Sequence, residues 1–569
     1  MLCILKSKEK IFQNISYIFL CILTIYAILR EIIPLEHIIG SQILSTAMFF
    51  LCLFFLAINI FSNPKHFKFK NSLFFIFFIC SAVISILLNF NFSFVSNIKA
   101  LLWMIVFLLY IYPQGYHIMS KDTNKLNTYM KIIIATMSFL VFVSIIMFFW
   151  DVDYEFNKTT GAFTNQGFSN QYVRLWGVFQ EANYAAVYSS IALFMSIYSF
   201  FQNKNKLTRI WLITCSVLFF VFIILSGSRT ALLSNLVAFV WFVFYKQINK
   251  KGKNSFKKTA YALFSAILSV VVLFGAYTTI KFVLPYSKLF VRNCGSYEKY
   301  ENIHKFYDNL YLRGNVDIVS GLYSDAANPY KQAENTDNSI EVTSNKPKPV
   351  LDTTEIQTTV EQTTEPQTTQ PQTPQPQTIQ PQTIQPQTTE HSTEFNLTEN
   401  NTKTEDKKSS ENTPPGVDKL ERPDTNKQDF SNGRIRRWND AWEIFKSSIL
   451  FGASPRGICE FAQKHNPTTT MALYYYSISN VYLELLAETG IIGFAIIMLL
   501  LFRVALNYLN NLLTQRFNKK FALTSCCTLF FLCVIFLQSD LFFNFTFGGC
   551  VFWLFFGICN SSLIFNQNE

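Results

Sequence analysis

Twelve long apolar runs decide what this chain can become. They lie at about 13–29, 38–61, 72–90, 98–114, 131–150, 183–201, 209–226, 229–246, 259–284, 480–502, 521–539 and 541–560. A helix of about 20 apolar residues spans a bilayer. The rest of the composition agrees: half of the 569 residues are hydrophobic, 60 are Phe, and only 15% are charged. The expected fold is therefore all-α, a polytopic membrane protein of about twelve transmembrane helices. The first run lacks a small-residue cleavage site, so it reads as an anchor rather than a removable signal.

Lys and Arg in short loops set the orientation. Lys6, Lys8 and Lys10 precede the first run, and Lys65, Lys68 and Lys70 follow the second. Lys121, Lys125 and Lys131 follow the fourth, Lys204, Lys206 and Arg209 the sixth. "KQINKKGKNSFKK" follows the eighth, and Arg516, Lys519 and Lys520 follow the tenth. Every second loop is basic, so both termini are expected in the cytoplasm. The net charge of +11 is mostly this bias, and a nucleic-acid partner is not expected. Residues 1–284 then hold spans one to nine, 285–479 form a large extracytoplasmic loop, and 480–569 hold spans ten to twelve.

The loop has two characters. Its flanks, about 286–330 and 416–479, carry enough apolar and aromatic residues to fold, in part as helix. Between them runs "EIQTTVEQTTEPQTTQPQTPQPQTIQPQTIQPQTTEHSTE", which cannot bury a core. Residues 331–415 are expected to be a disordered insertion. Of twelve cysteines, ten lie in or near apolar runs and suit small buried hydrophobes. Cys294 and Cys459 flank the insertion on an oxidising side, where a disulfide would clip the flanks together if the geometry allowed it. The six histidines form no metal-binding spacing, and no phosphate-cradling glycine loop or nucleophile elbow is present. No metal or other cofactor is expected.

One arginine stands out. In "ILSGSRTALL", Arg229 separates the uncharged runs Ile210–Leu225 and Ala231–Tyr245, at the outer mouth of spans seven and eight. Snorkelling to water is its plain explanation. Ionisable groups at membrane depth are, however, more often functional. Three other outward stretches carry unusual polar groups. "VRLWGVFQEANYAA" offers Arg174, Gln180, Glu181, Asn183 and Tyr184. "GRIRRWNDAWEIFKSSILFGASPRG" opens with Arg434, Arg436 and Arg437 on an amphipathic helix with Trp438 and Trp442. "SNVYLELLAETGIIG" begins with Ser479 and Asn480 and places Glu484 and Glu488 one turn apart. Each has a structural explanation alone: interfacial aromatics, close helix packing, paired charges. Together they bring guanidinium groups and carboxylates to one side of the bilayer. Guanidinium binds phosphate bidentately and keeps its proton. A lipid-linked sugar diphosphate presents its leaving group at that depth. Fixed arginines stabilise the departing oxygens without a metal, and a carboxylate can accept the acceptor hydroxyl's proton.

These stretches resemble the O-antigen ligase and polymerase superfamily of bacterial membrane glycosyltransferases. "GVFQEANYAA", from Gly177, resembles one family pattern, and Gly227–Ala231 matches a second. Gly433, Arg434 and Trp438 match a GRxxxW pattern, with Gly452 in the following turn. Ser479 and Asn480, ahead of Gly490 and Gly493, match a polar pair before GxxG. The similarity covers roughly 170–245 and 430–500, and its specificity lies in the ordered set. The resemblance implies a GT-C-like fold in the bacterial cytoplasmic membrane. It implies polymerisation of polyprenyl-diphosphate-linked oligosaccharide repeat units, donor and acceptor alike, on the outer face, alongside a flippase and a chain-length regulator. Arg229 and Arg434 would hold the diphosphate, with Arg174 or Arg437 assisting. Asn480 would position sugar or phosphate, and Asn183, Tyr184, Trp438 and Ser479 would join the binding surface.

One departure favours the polymerase branch: ligases of this superfamily typically carry histidine where this chain has Ser479. The base is then open between Glu181 and Glu484. Two rivals stand beside this reading. A ligase of the same fold would move glycan to protein, lipid or wall. A transporter would suit twelve spans, although such proteins often show two six-span halves joined by a central inner loop. A stalked adhesin needs far fewer spans.

Overall fold

The computed structural model describes residues 2–33, 35, 42–62, 69, 71–150, 152–157, 163–169, 174–248, 255–294, 433–474, 477–514, 519–538, 543 and 545–561. All lie within one compact unit, Met1–Leu322 with Pro415–Glu569. Residues 295–432, which hold most of the first loop flank, the Thr/Gln/Pro insertion and the start of the second flank, fall outside the described residues.

A helix stands at each of the twelve apolar runs. They are α1 (Leu2–Leu29), α2 (Gln42–Ser62), α3 (Ser72–Leu88), α4 (Phe94–Met119), α5 (Thr123–Phe149), α6 (Ala182–Gln202), α7 (Lys206–Leu225), α8 (Arg229–Ile248) and α9 (Ser255–Cys294). The second portion of the chain adds three short helices, α10 (Arg434–Ser447), α11 (Ile458–His465) and α12 (Thr470–Tyr474). It ends with α13 (Val481–Thr514), α14 (Lys519–Leu537) and α15 (Phe547–Asn560). Among the described residues, nine helices are long and apolar enough to cross a membrane, and α3 and α15 are shorter apolar helices. This is an all-α polytopic membrane protein.

Burial sorts these helices. Every residue of α15 is buried, as expected of a helix that is apolar on all sides. Trp553 on α15 packs against Phe75 of α3 at 5.9 Å and Phe543 at 5.5 Å. By contrast, only 6% of the apolar stretch of α9 is buried. Alpha15 is thus a central pillar, and α9 lies at the periphery.

The connection between α5 and α6 holds structure that the sequence reading did not anticipate. Strands β1 (Asp153–Asn157), β2 (Phe163–Ser169) and β3 (Arg174–Gly177) form a three-stranded antiparallel sheet in that order. The register slips at Gly167–Phe168, where Gly167 takes φ 72°. A bulge there re-aims the strand. Beyond β3, the backbone of 178–180 pairs with the end of α1: Ile33 N donates to Val178 O at 3.0 Å, and Gln180 N to Glu31 O at 2.9 Å.

The loop helices α10–α12 have their own small core, built on Ala441, Ile444, Phe461, Met471 and Ala487. Ala487 belongs to α13, so this core continues into a spanning helix. Alpha13 is broken at Gly490 (φ 65°, ψ −171°). The break frees backbone groups on both sides, and the turn segment 449–454 satisfies them. Ala453 N donates to Ala487 O at 2.8 Å and Ser454 N to Glu488 O at 3.0 Å. Ile491 N donates to Ile449 O at 2.8 Å and Ile492 N to Leu450 O at 3.3 Å. Four groups that would be orphans in an apolar setting are all paired. A Cβ on Gly490 would strike the Leu450 carbonyl, and one on Gly452 the Glu488 carbonyl. Gly490, read as a packing residue in the sequence, therefore permits a broken helix, and Gly452, read there as a turn glycine, permits the backbone clamp.

The clamp is anchored on the α3–α4 corner. Ser85 Oγ donates to Glu488 O at 2.9 Å, Asn89 Nδ2 to Gly452 O at 2.9 Å, and Asn97 Nδ2 to Ser454 Oγ at 2.9 Å. The Glu460 carboxylate of α11 accepts from Ser93 N at 2.6 Å, at the start of α4. Cys459 is a half-buried free thiol that packs against the small core. The side chain of Cys294, its partner in the disulfide considered from the sequence, lies outside the described residues.

Candidate functional site

The first polar cluster is built where β3, α6 and the α7–α8 turn meet. Arg174 of β3 is 6% exposed. Its Nε donates to Ser226 O at 2.8 Å and its Nη2 to Asn183 Oδ1 at 2.6 Å. Its guanidinium also lies 5.1 Å from the Trp176 ring centroid. Glu181 is the N-cap of α6: its Oε1 accepts from Asn183 N at 3.1 Å and Asn183 Nδ2 at 2.7 Å. The carboxylate thus orients the Asn183 amide, and that amide receives Arg174. Tyr184 continues the helix and stacks on Tyr188 at 6.4 Å.

The turn "SGSR" is shaped to present one side chain. Gly227 takes φ 62°, with Arg174 packed across it. Ser226, Ser228 and Thr230 are buried, whereas Arg229 is exposed. Arg229 is the first residue of α8, where a cation opposes the helix dipole. For an anion, the dipole and the guanidinium act in the same direction. Arg229 also stands at the end of a cavity of about 920 Å³ between α6, α7, α8 and α9. Apart from Arg229, Ser216 and Asn235, its walls are apolar or aromatic, with Phe194, Val217, Leu236 and Phe274 among them.

The second cluster joins α10 to the start of α13. Arg434, Arg437, Trp438 and Ala441 fall on one face of α10 at helical spacing, while Arg436 is exposed on another. Arg437 Nη1 donates to Ser479 Oγ at 2.9 Å and Ser477 O at 3.3 Å. Ser479 takes φ 56°, unusual for a residue with a Cβ. Asn480 is 2% exposed and caps α13, its Oδ1 accepting from Tyr482 N at 3.0 Å and Leu483 N at 3.2 Å. Glu484 and Glu488 follow on the first two turns, both half-buried. They reach Cys459 electrostatically. Burial first, then the Glu488 and Glu460 carboxylates, push the Cys459 thiol above its ordinary range. Trp438 packs edge-on to Phe536 at 5.7 Å, and its buried indole N–H meets no acceptor among the described residues.

Helix α14 relates the two clusters. Tyr245 of α8 meets Phe521 at 5.3 Å, Trp241 Nε1 donates to Ser525 Oγ at 3.0 Å, and Ala238 O faces Cys526 Sγ at 3.6 Å. As numbers fall along α8 they rise along α14. Continued at the same pace, this antiparallel pairing sets the first turn of α8, with Arg229, level with Phe536. Phe536 is the residue that Trp438 covers, and Tyr482 lies 6.3 Å from it. Both clusters therefore occupy one end of the bundle.

Of the eleven residues singled out from the sequence, Arg174, Glu181 and Asn183 form one hydrogen-bonded chain, with Tyr184 adjoining. Arg437 and Ser479 form a second contact. Glu181 and Asn480 take capping roles that the sequence reading had not assigned to them. Two charged residues went unnoticed: Arg30 and Glu31, which close the first apolar run. Gln180 Nε2 donates to Arg30 O at 3.3 Å, which brings this pair beside α6. An Arg-Glu pair ending an apolar span was the available signal. Among the described residues, no group of His, Cys, Asp and Glu is arranged to hold a metal ion.

No curated protein matches the chain, and no solved structure does. A family model does: the one described as O-antigen ligase matches residues 392–498. The matched segment contains α10–α12, the clamp, the break at Gly490 and the whole second cluster. The first cluster lies outside it. Residues 392–498 are thus similar to the O-antigen ligase family, in agreement with the superfamily that the ordered motifs resemble.

Proposed function

We propose that the protein is a membrane glycosyltransferase that polymerises lipid-diphosphate-linked oligosaccharide repeat units on the outer face of the bacterial cytoplasmic membrane. Both termini are cytoplasmic in this reading, and the cluster-bearing end of the bundle faces out. The observation that carries it is the placement of Arg229. An exposed guanidinium at a helix N-terminus stands at the end of a long apolar cavity. That pairing suits a molecule with an anionic head and a long hydrocarbon tail. The polyprenyl chain lies in the cavity and the diphosphate at Arg229, with Arg434 closing from α10.

Transfer then moves the growing chain from its carrier to the non-reducing-end hydroxyl of the next unit. The hydroxyl oxygen bonds to the anomeric carbon as the bond to the diphosphate breaks. The diphosphate leaves with the electron pair, held by guanidinium groups that stay charged throughout. The hydroxyl proton passes to a carboxylate. Glu484 suits this role better than Glu181, whose carboxylate is occupied as a helix cap. Trp438 offers a free indole N–H for a sugar or phosphate oxygen. Ser479 Oγ is a hydrogen-bond partner of Arg437 rather than a base. This supports the polymerase over the ligase.

The test compares surface glycan from cells carrying wild type, Arg229→Lys and Arg434→Lys at matched membrane levels, with lipid-linked intermediates measured alongside. Loss of long chains with single repeat units accumulating on the outer face is the expected result. Long lipid-linked chains that never reach their final attachment would instead make the protein a ligase. Units held on the inner face would make it a transporter.

A further inference from the structure

The opposite end of the bundle holds a second apolar cavity, of about 160 Å³, between α6, α8 and α14. Its walls include Tyr198, Ala238, Phe242 and Leu523, and two lysines, Lys246 and Lys519, stand in its lining. Both converge on one residue. Lys519 Nζ donates to Phe201 O at 3.3 Å, and Lys246 Nζ lies 5.9 Å from the Phe201 ring centroid. Lys520, next in sequence, is turned away and committed, donating to Ser120 O at 3.0 Å and Thr123 Oγ1 at 3.2 Å.

No carboxylate on these elements answers the two ammonium groups. The sequence has no Asp or Glu from Ala182 to Tyr297, nor from Thr489 to Ser539. Asp122, near Lys520, is engaged in capping α5 through Asn124 N and Lys125 N. Arg209, 4.3 Å from the Phe200 ring centroid, adds positive charge at the same end. Alpha14 begins at Lys519, so the positive end of its dipole lies there too. The slot below the lysines is lined almost wholly by apolar side chains, which offer a sugar few hydrogen-bond partners and suit the first part of a hydrocarbon chain entering from the bilayer.

We propose that this is a binding site for an anionic glycerophospholipid. One acyl chain enters the cavity, and the phosphate sits between Lys246 Nζ and Lys519 Nζ. Basic pockets between spanning helices commonly take anionic headgroups. The two lysines stand at the far end of α8 from Arg229, but this cavity adjoins the larger one and shares Phe194, Ile197, Phe201 and Phe239 with it. The proposal does not depend on the glycosyl-transfer reading. Occupancy would pin the end of α6 to α8 and α14, the three helices that descend from the cluster-bearing end.

The test is native mass spectrometry of the full-length protein, released from detergent and titrated with phosphatidylglycerol or phosphatidylcholine of identical acyl chains. Phosphatidylglycerol should bind as one tight copy per chain, with a preference of about tenfold or more. Lys246→Gln and Lys519→Gln should each reduce that preference, and the double substitution should abolish it. Lys204→Gln with Lys206→Gln should leave it intact. Equal binding of the two lipids would overturn the proposal. So would a preference that survives both lysine substitutions, or displacement of the lipid by millimolar inorganic phosphate.

Discussion

The guanidinium of Arg174 reaches Asn183 at 2.6 Å while its Nε holds the Ser226 carbonyl at 2.8 Å. One buried side chain therefore ties the sheet to the N-terminus of α6 and to the turn that displays Arg229. Arg174 acts through that turn, and its removal should register as structural loss. Arg174→Gln leaves Asn183 and Ser226 without a charged donor and should cost about 2 kcal/mol or more. Thermal unfolding in detergent measures it. A variant with unchanged stability but no activity would return Arg174 to the reacting centre.

Arg229 should behave in the opposite way. It is exposed, so Arg229→Lys should leave thermal stability within about 0.5 kcal/mol of wild type. If it holds the leaving diphosphate, turnover should fall by about 100-fold or more, as when one fixed donor to developing charge is lost. Arg436→Ala, on the solvent side of α10, is the silent comparison. An in vitro assay on lipid-linked repeat units reads both. Wild-type turnover in Arg229→Lys would reduce this arginine to a snorkelling side chain.

The break in α13 predicts two intolerant positions. Gly490→Ala meets both a left-handed φ and the Leu450 carbonyl, and Gly452→Ala meets the Glu488 carbonyl. The backbone conformation alone costs about 1–2 kcal/mol for a residue with a Cβ. With the collision added, both variants should fail to accumulate in the membrane or lose most of their thermal stability. Folded, fully active Gly490→Ala would mean that the clamp forms otherwise.

Cys459 should be a slow thiol. Burial and the Glu488 and Glu460 carboxylates raise its titration point, because a thiolate is penalised by an apolar setting and by like charge. At pH 8 less of it is thiolate than of a free cysteine, so maleimide labelling should lag behind a solvent-exposed thiol. The rate should climb only as pH passes the ordinary thiol range. Glu488→Gln removes one negative neighbour and should move that climb to lower pH. Rapid labelling at pH 7 would contradict this placement.

The bundle was legible because each apolar run is long and bounded by basic loops, and lipid leaves helix as the natural outcome. The candidate residues drew attention in the sequence because Arg174, Arg229 and Glu484 interrupt stretches that are otherwise largely apolar, and Arg434 opens an amphipathic helix. The sheet was not. "DYEFN" and "FTNQGFS" are short, polar and interrupted by glycine, and their pairing depends on chain brought together from α5 and α6. Nor could the motif glycines reveal the broken helix. A GxxG spacing suits close helix crossing as well as a kink, and only the backbone partners at 449–454 decide. Asn480 and Glu181 show the same limit. Their side chains suit substrates or caps equally, and the choice rests on which backbone amides lie within reach.

The interrupted α13 has a mechanical consequence. Its first nine residues share a core with α10–α12 and exchange backbone hydrogen bonds with 449–454, while the remainder belongs to the spanning bundle. The outer portion of α13 is therefore a component of the loop assembly, and Gly490 is where that assembly is bolted to the bundle. Arg434, Arg437, Trp438 and Glu484 travel as one rigid piece. If the protein acts on glycan as proposed, adjustment to a longer or bulkier chain would fall to the other wall, where Arg229 stands on a single exposed turn.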